Sequence, residues 1–313
     1  MKKLLFTLLK IVGIILLAII VLMITMYAVN AISDRSEKSK IQSYGQHVEV
    51  DGKNMNVLIE GSGEETVVLL PGYGTAAPAL DFKPLVDELS PHYKVVVVEP
   101  FGYGLSDITD KERTLENMTT EVHTALQKLG IDRYILMGHS IAGIYGLEYV
   151  NQYRDEVTAF VGIDTSVPAQ GGGEEIPADG FNLLKSSGVY RLLLKLAPDQ
   201  VIAPDVDKET WDQIRMLTLR NTMNENIANE SKYFDANFKA VESKHFPADL
   251  PLIFFLDGNT TDVADWIPMH EEQIKDSIHG KVVTMDGTHY LHHLYSKEIA
   301  EQFRAFLSEI EAK

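Results

Sequence analysis

Gly138-His139-Ser140-Ile141-Ala142-Gly143 follows the apolar run Tyr134-Ile135-Leu136-Met137 and leads into a helix-like run from Ile141 to Tyr153. A serine between two small residues at a strand-to-helix junction has the form of a nucleophile elbow. That tight turn lifts a hydroxyl clear of the backbone, where a base can reach it. So sharp a turn forces together the side chains two residues before and two residues after the serine. Gly138 and Ala142 both meet this demand for small groups. The form asks for glycine at the second place, so Ala142 is a departure of one methyl group. Read locally, the hexapeptide is a Gly-Ser turn at a strand end; the rest of the chain decides between the two readings.

Outward from the elbow, strands and helices alternate. His47–Val50 and Met55–Ile59 bracket Asp51-Gly52, a hairpin signal. Thr66–Leu70 and Lys94–Val98 are continuous apolar runs, as expected of strands buried on both faces of a parallel sheet. Between them Phe82, Leu85, Val86 and Leu89 recur at helical spacing, and a second helix fits Leu115 to Leu129, closed by Gly130. Val157–Ile163, Pro251–Leu256 and Lys281–Met285 complete eight strands, and Ile299, Phe303, Phe306, Leu307 and Ile310 line one face of a last helix. This order predicts an α/β fold, an eight-stranded, mostly parallel sheet flanked by helices.

One block breaks the alternation. After Pro168 and Gly171-Gly172-Gly173, residues 181–246 read as helices without strands, with apolar surface from residues such as Leu183, Leu192, Leu193, Leu196 and Trp211. A helical insertion here is expected to cap the carboxyl ends of the strands, where open α/β sheets bind ligands. The same leucines also serve to fasten a cap to the core.

The chain has 313 residues and no cysteine, which excludes disulfides, thiolate metal sites and a cysteine nucleophile. Lys2, Lys3 and Lys10 lead into Ile11–Val29, 19 residues without a charge, nearly enough as a helix to span a hydrocarbon core of about 30 Å. Lysines before the run and a mixed flank after it place the N-terminus in the cytoplasm and the bulk of the chain outside. The competing reading is a signal peptide cleaved near Val29 and Ala31, giving a secreted protein. The apolar run exceeds the usual ~7–15 residues of such signals, which favours an uncleaved anchor. The expected organisation is an anchor over 1–32, a linker over 33–44, a core over 45–168 and 247–313, and a helical cap over 169–246. Net charge is −17; the first 30 residues hold three lysines and no acid, so the remainder carries −20. Such an acidic body suits neither nucleic acid nor an anionic lipid surface.

A serine hydroxyl is a poor nucleophile without a base, and the base it needs is a histidine oriented by an acid. His289, in Asp286-Gly287-Thr288-His289, comes directly after the last strand, where a loop can deliver an imidazole to the carboxyl edge of the sheet. His292 and His293 lie further on, and with His289 they could share a helical face as metal ligands. No carboxylate completes such a site by spacing, so no metal is expected. The acid is expected from the loop after Pro251–Leu256. Asp262 is preferred because a loop residue can turn back towards the histidine; Asp257, abutting the strand, and Asp164, ending Val157–Ile163, are the alternatives. Any of the three could equally be a turn former. Donors for an oxyanion are expected from the N–H of Ile141, after the serine, and of Tyr73 in Pro71-Gly72-Tyr73-Gly74, with Gly74 as fallback.

Pro71-Gly72-Tyr73-Gly74, Phe101-Gly102-Tyr103-Gly104-Leu105-Ser106-Asp107, Gly138-His139-Ser140-Ile141-Ala142-Gly143 and Gly287-Thr288-His289, in that order, make residues 45–312 resemble the α/β-hydrolase superfamily, its cap-bearing lipase, esterase and peptidase-like branch most closely. The resemblance implies a Ser140, His289, Asp262 triad with an oxyanion hole from Tyr73 and Ile141. Two departures stand out: Pro71 replaces the usual histidine before the oxyanion glycine, and Asp262 lies four residues beyond Gly258 where three is usual. Dehalogenases and epoxide hydrolases of the superfamily carry aspartate at the elbow, where this chain has Ser140. Proline iminopeptidases have a richer Gly-Gly-Pro-Gly loop.

The expected function is a serine hydrolase, esterase or lipase-like, cleaving a partly apolar carboxylic ester through an acyl-enzyme on Ser140, without metal or organic cofactor. Peptidase or amidase activity shares the mechanism. A non-catalytic ligand-binding or signalling protein on the same fold is the alternative from another class.

Overall fold

The structure, a computed structural model, describes residues 2–260 and 263–312. In chain order its elements are α1 (Lys2–Lys38), β1 (Gln46–Val50), β2 (Lys53–Glu60), β3 (Thr66–Leu70), α2 (Pro78–Asp81), α3 (Lys83–Leu89), β4 (Lys94–Glu99), α4 (Leu115–Lys128), β5 (Tyr134–His139), α5 (Ala142–Gln152) and β6 (Val157–Ile163). There follow α6 (Ala178–Ser186), α7 (Val189–Leu196), α8 (Lys208–Asn221), α9 (Glu225–Lys232), α10 (Phe234–Val241), β7 (Leu252–Asp257), α11 (Trp266–Ile274), β8 (Gly280–Met285), α12 (Leu291–Leu294) and α13 (Ser296–Glu311). The chain packs as two units. One comprises α1 with Pro177–Ile202; the other comprises Ser43–Ile176 and Ala203 onward.

The larger unit holds an eight-stranded sheet in the order β1-β2-β4-β3-β5-β6-β7-β8. β1, β2 and β4 pair antiparallel and every later pair is parallel. Asp51 and Gly52 both take positive φ, 51° and 76°, which gives the hairpin turn whose twist matches its strands. Alternate residues of the parallel strands face opposite layers. Val68, Leu136, Phe160 and Phe254 pack with α4, α5 and α10 on one face. Val67, Ile135, Val161 and Phe255 pack with α3 and α13 on the other. Burial on both faces explains why these strands read as unbroken apolar runs.

Two boundaries differ from the sequence expectation. Residues 33–38, expected in a linker, continue α1. Asp34 and Glu37 of that extension bond Arg191, and Arg35 and Lys38 sit in the last turn, where cations suit the helix dipole. The insertion expected as one cap over 169–246 is divided. α6 and α7 pack with α1, whereas α8, α9 and α10 belong to the sheet unit. Asparagines tie these latter helices to the loop before α4. Asn226 Oδ1 accepts from Thr109 N at 2.9 Å while its amide donates to Thr109 O at 2.7 Å. Asn224 donates to Gly102 O, Asn221 to Ala76 O and Gly104 O, and Asn237 exchanges bonds with Leu115 N and Arg113 O. This polar matching to backbone leaves no trace in periodicity.

Candidate active site

β5 ends at His139 and α5 begins at Ala142, leaving Ser140 on the turn with φ 56°. That left-handed conformation is uncommon for a residue with a side chain. The turn is crowded as its sequence requires. A Cβ on Gly138 would lie 2.7 Å from Ala142 Cβ, and one on Gly143 would lie 2.2 Å from Ser166 O. Ser166 N donates to Ser140 O at 2.8 Å, so the chain after β6 braces the elbow.

His289, following β8, brings its Nε2 to 2.9 Å from Ser140 Oγ. Its Nδ1 lies 2.7 Å from Asp164 Oδ2. The carboxylate that meets His289 is Asp164, one of the alternative acids of the sequence expectation. Asp164 holds the imidazole, and Asp262 lies outside the described residues. The reason lies in strand order. β6 is the immediate neighbour of β5, so its carboxyl end opens beside the elbow. Asp164 then turns with φ 43°, a conformation aspartate tolerates better than most residues. Its side chain is 2% exposed, and Oδ1 accepts from Trp266 Nε1 at 2.9 Å and from Asp257 N at 3.0 Å. Three donors on one carboxylate hold it in a set orientation. Asp257 contributes to this through its backbone, while its side chain accepts from Asn259 N at 3.0 Å. The His289 side chain is 44% exposed, open to an incoming molecule.

The loop after β3 reaches the same place. A Cβ on Gly72 would lie 3.0 Å from Ser140 Cβ and 2.7 Å from His139 Nδ1, so only glycine lets the backbone pass. Thr75 N donates to Gly72 O and Gly74 takes φ 69°, closing a turn around Tyr73. Gly74 N–H donates to Tyr103 Oη at 3.3 Å, which removes the fallback donor. Among the described residues, neither Tyr73 N–H nor Ile141 N–H meets an intramolecular acceptor. The Tyr73 side chain points elsewhere: its hydroxyl donates to Ile227 O at 2.9 Å and its ring meets Phe234 edge-on at 4.7 Å. Burial pushes this phenol up to about 12. A small apolar cavity adjoins the loop and α5, lined by Leu70, Pro71, Tyr103, Tyr145 and Tyr149 among others. Buried Glu230 accepts from Tyr103 Oη at 2.6 Å and Tyr145 Oη at 2.5 Å, and burial raises its carboxyl.

Behind His289 lies a histidine cluster that the sequence placed only in part. His139 Nε2–H donates to His289 O at 2.9 Å, and burial pulls His139 well below the usual imidazole range. His292 and His293 turn away from His289 and donate, each at 2.8 Å, to the two oxygens of Asp81. Burial opposes ionisation of Asp81, but its two imidazole partners prevail and hold the carboxyl well below the usual range. Their ligand atoms lie within 4.8 Å of one another, so these three residues could hold a divalent ion. The observed geometry is that of two N–H donors sharing one carboxylate. Asp81 is 211 residues from His292, so spacing along the chain gave no sign of it.

A sequence model of the alpha/beta hydrolase fold matches residues 65–238. The YbdG protein of Bacillus subtilis (strain 168) is 34% identical over 217 residues, 67% of this chain and 66% of that protein. The karrikin insensitive 2 receptor CA of Petunia hybrida is 40% identical over 96 residues, 29% of this chain and 35% of the receptor. The chain thus spans less than two thirds of the length of these relatives. Among solved structures, the epoxide hydrolase VrEH1 from Vigna radiata superposes with a TM-score of 0.63 at 18% identity, covering 84% of this chain and 97% of that one. Cfl2 from Burkholderia cenocepacia gives 0.65 at 16% identity, covering 83% and 94%. At such identities the likeness concerns the fold alone.

Proposed function

The chain belongs to the alpha/beta hydrolase fold family, and on that premise we propose that it is a serine hydrolase cleaving carboxylic esters, with Ser140 as nucleophile, His289 as base and Asp164 as orienting acid. The observation that carries this reading is the unbroken hydrogen-bond chain from Asp164 Oδ2 through the His289 ring to Ser140 Oγ, at 2.7 and 2.9 Å.

Ser140 Oγ attacks the acyl carbonyl as its proton passes to His289 Nε2. The Asp164 carboxylate holds the ring in the tautomer with hydrogen on Nδ1 and stabilises the imidazolium. The N–H groups of Tyr73 and Ile141 receive the oxyanion; a single such donor is typically worth about 100–1,000-fold in rate. Collapse expels the alcohol, which leaves with the proton from Nε2. Water then attacks the acyl-enzyme, giving its proton to His289, and release of the acid returns that proton to Ser140. Amide cleavage would use the same residues. Ser140 at the elbow sets the chain apart from an aspartate nucleophile, the residue its superfamily uses against epoxides and haloalkanes. A ligand-receptor reading draws on the petunia match, which covers 29% of this chain.

Helix α1 is a candidate membrane span. We read it as a retained anchor, with lysines holding its start in the cytoplasm and the remainder outside. The enzymatic reading is tested with Ser140→Ala. Fluorophosphonate labelling disappears and ester hydrolysis falls by at least about 10⁴-fold, while the circular dichroism spectrum is unchanged. Full labelling of that variant overturns the assignment.

A further inference from the structure

The unit formed by α1, α6 and α7 carries an apolar face that nothing else in that unit covers. Leu183, Leu184, Leu192, Leu193, Leu196 and Ile202 are all exposed, Leu183 at 69% and Leu196 at 74%. Soluble surfaces scatter single leucines but seldom gather six within twenty residues. On α7 the apolar residues are sorted. Leu192, Leu193 and Leu196 share one side, whereas Arg191 turns towards α1.

The place where this hairpin meets α1 fixes its level. The charge-free run Ile11–Val29 is about 28 Å long as a helix, close to a hydrocarbon core. Its last turn receives the hairpin. A Cβ on Gly188, between α6 and α7, would lie 2.7 Å from Met26 O. Asn30, the first polar residue after the run, donates to Lys185 O at 3.1 Å and accepts from Arg191 Nε at 2.9 Å. Arg191 reaches on to Asp34 at 2.5 Å and Glu37 at 2.8 Å. The polar clamp thus occupies the first turns beyond the apolar run. The hairpin is tied to the boundary between hydrocarbon and water, with its leucines turned away from the clamp.

We infer that α6 and α7 form an interfacial membrane element, whose exposed leucines lie in the lipid headgroup and upper acyl region beside the point where α1 leaves the bilayer. This rests on reading α1 as a retained membrane span. The occupant of the leucine face is lipid, because Met26 and Asn30 hold the hairpin against α1 where its apolar run ends. Amphipathic helices at such boundaries bury their apolar side about 5–10 Å into the interface.

The absence of native cysteine allows single-site spin labelling without background. The full chain is placed in phosphatidylcholine vesicles with one label per preparation, at Leu16→Cys, Leu193→Cys, Leu196→Cys or Glu64→Cys. Power saturation compares collisions with oxygen, which partitions into lipid, against a water-soluble nickel chelate. Positions 16, 193 and 196 are expected to favour oxygen severalfold, and position 64 to favour nickel. Arg191→Ala, which cuts the clamp, is expected to shift position 193 towards nickel and leave position 16 unchanged. Nickel access at 193 and 196 with position 16 in lipid overturns the interfacial element and leaves the anchor standing. Shielding of 193 and 196 from both reagents means a second copy covers the leucines, which also overturns it. Nickel access at position 16 overturns the anchor itself.

Discussion

At the scale of single residues, Ser140 and Asp164 both hold left-handed backbone conformations, at φ 56° and 43°. Each costs of order 1–3 kcal/mol and survives only where its surroundings over-determine it. Ser140 is locked by Gly138, Ala142 and the Ser166 bond; Asp164 is locked by Trp266, Asp257 N and His289. Two strained positions facing one imidazole support the proposal of Asp164 as the acid. Asp164→Asn is expected to lower kcat/KM by about four orders of magnitude, because the amide favours the wrong tautomer of His289. Asp262→Asn is expected to leave it within a few-fold of the parent. Steady-state ester hydrolysis by the two variants, with near-ultraviolet dichroism to verify packing, decides the matter. The reverse ranking returns the role to Asp262.

At the scale of elements, asparagine side chains seated on backbone groups join α8, α9 and α10 to the sheet unit, beside buried residues such as Leu217 and Phe238. Asn226→Ala leaves both the N–H and the C=O of Thr109 without their partner in a buried place. The expected loss is about 1–3 kcal/mol in urea unfolding, with a slope unchanged from the parent. A variant as stable as the parent would mean that these bonds carry no weight. The elements themselves are largely readable from the chain. Val67, Val68, Leu69 and Leu70, and Val95 to Val98, announce doubly covered strands because burial on both faces needs continuous apolar residues. The elbow is readable because a sharp turn admits only small neighbours, and His289 because it follows the last strand. The acid is not readable, since three aspartates end or follow strands and only the lateral order of β5, β6 and β7 selects one. Asp81 with His292, and Asn30 with Arg191, join residues more than 150 positions apart through single polar groups that leave no periodic trace.

At the scale of the whole molecule, burial draws the imidazoles of His139 and His292 below the usual 6.5 in the folded chain. In the unfolded chain they titrate near that value. The unfolded state therefore binds more protons once the pH drops below about 6.5, and stability present above that value is lost as the solution is acidified. A histidine protonated only in the unfolded chain contributes a slope of at most about 1.4 kcal/mol per pH unit. The melting temperature is expected to fall between pH 7.5 and 5.5, and His139→Gln, which keeps a donor for His289 O, to flatten the fall. A variant with the parent's slope excludes His139 as a source. Asp81 acts in the same sense only in stronger acid, below the 3.8 at which its unfolded carboxyl titrates. One further bond reaches beyond stability. Tyr73 offers its backbone N–H beside the nucleophile while its hydroxyl grips Ile227 O on α9. A swing of α9 away from the sheet would break that grip and loosen the loop proposed to receive the oxyanion. On the proposed oxyanion role of Tyr73, a guest too bulky to let α9 settle is expected to be bound and yet turned over slowly, lowering kcat before it raises KM.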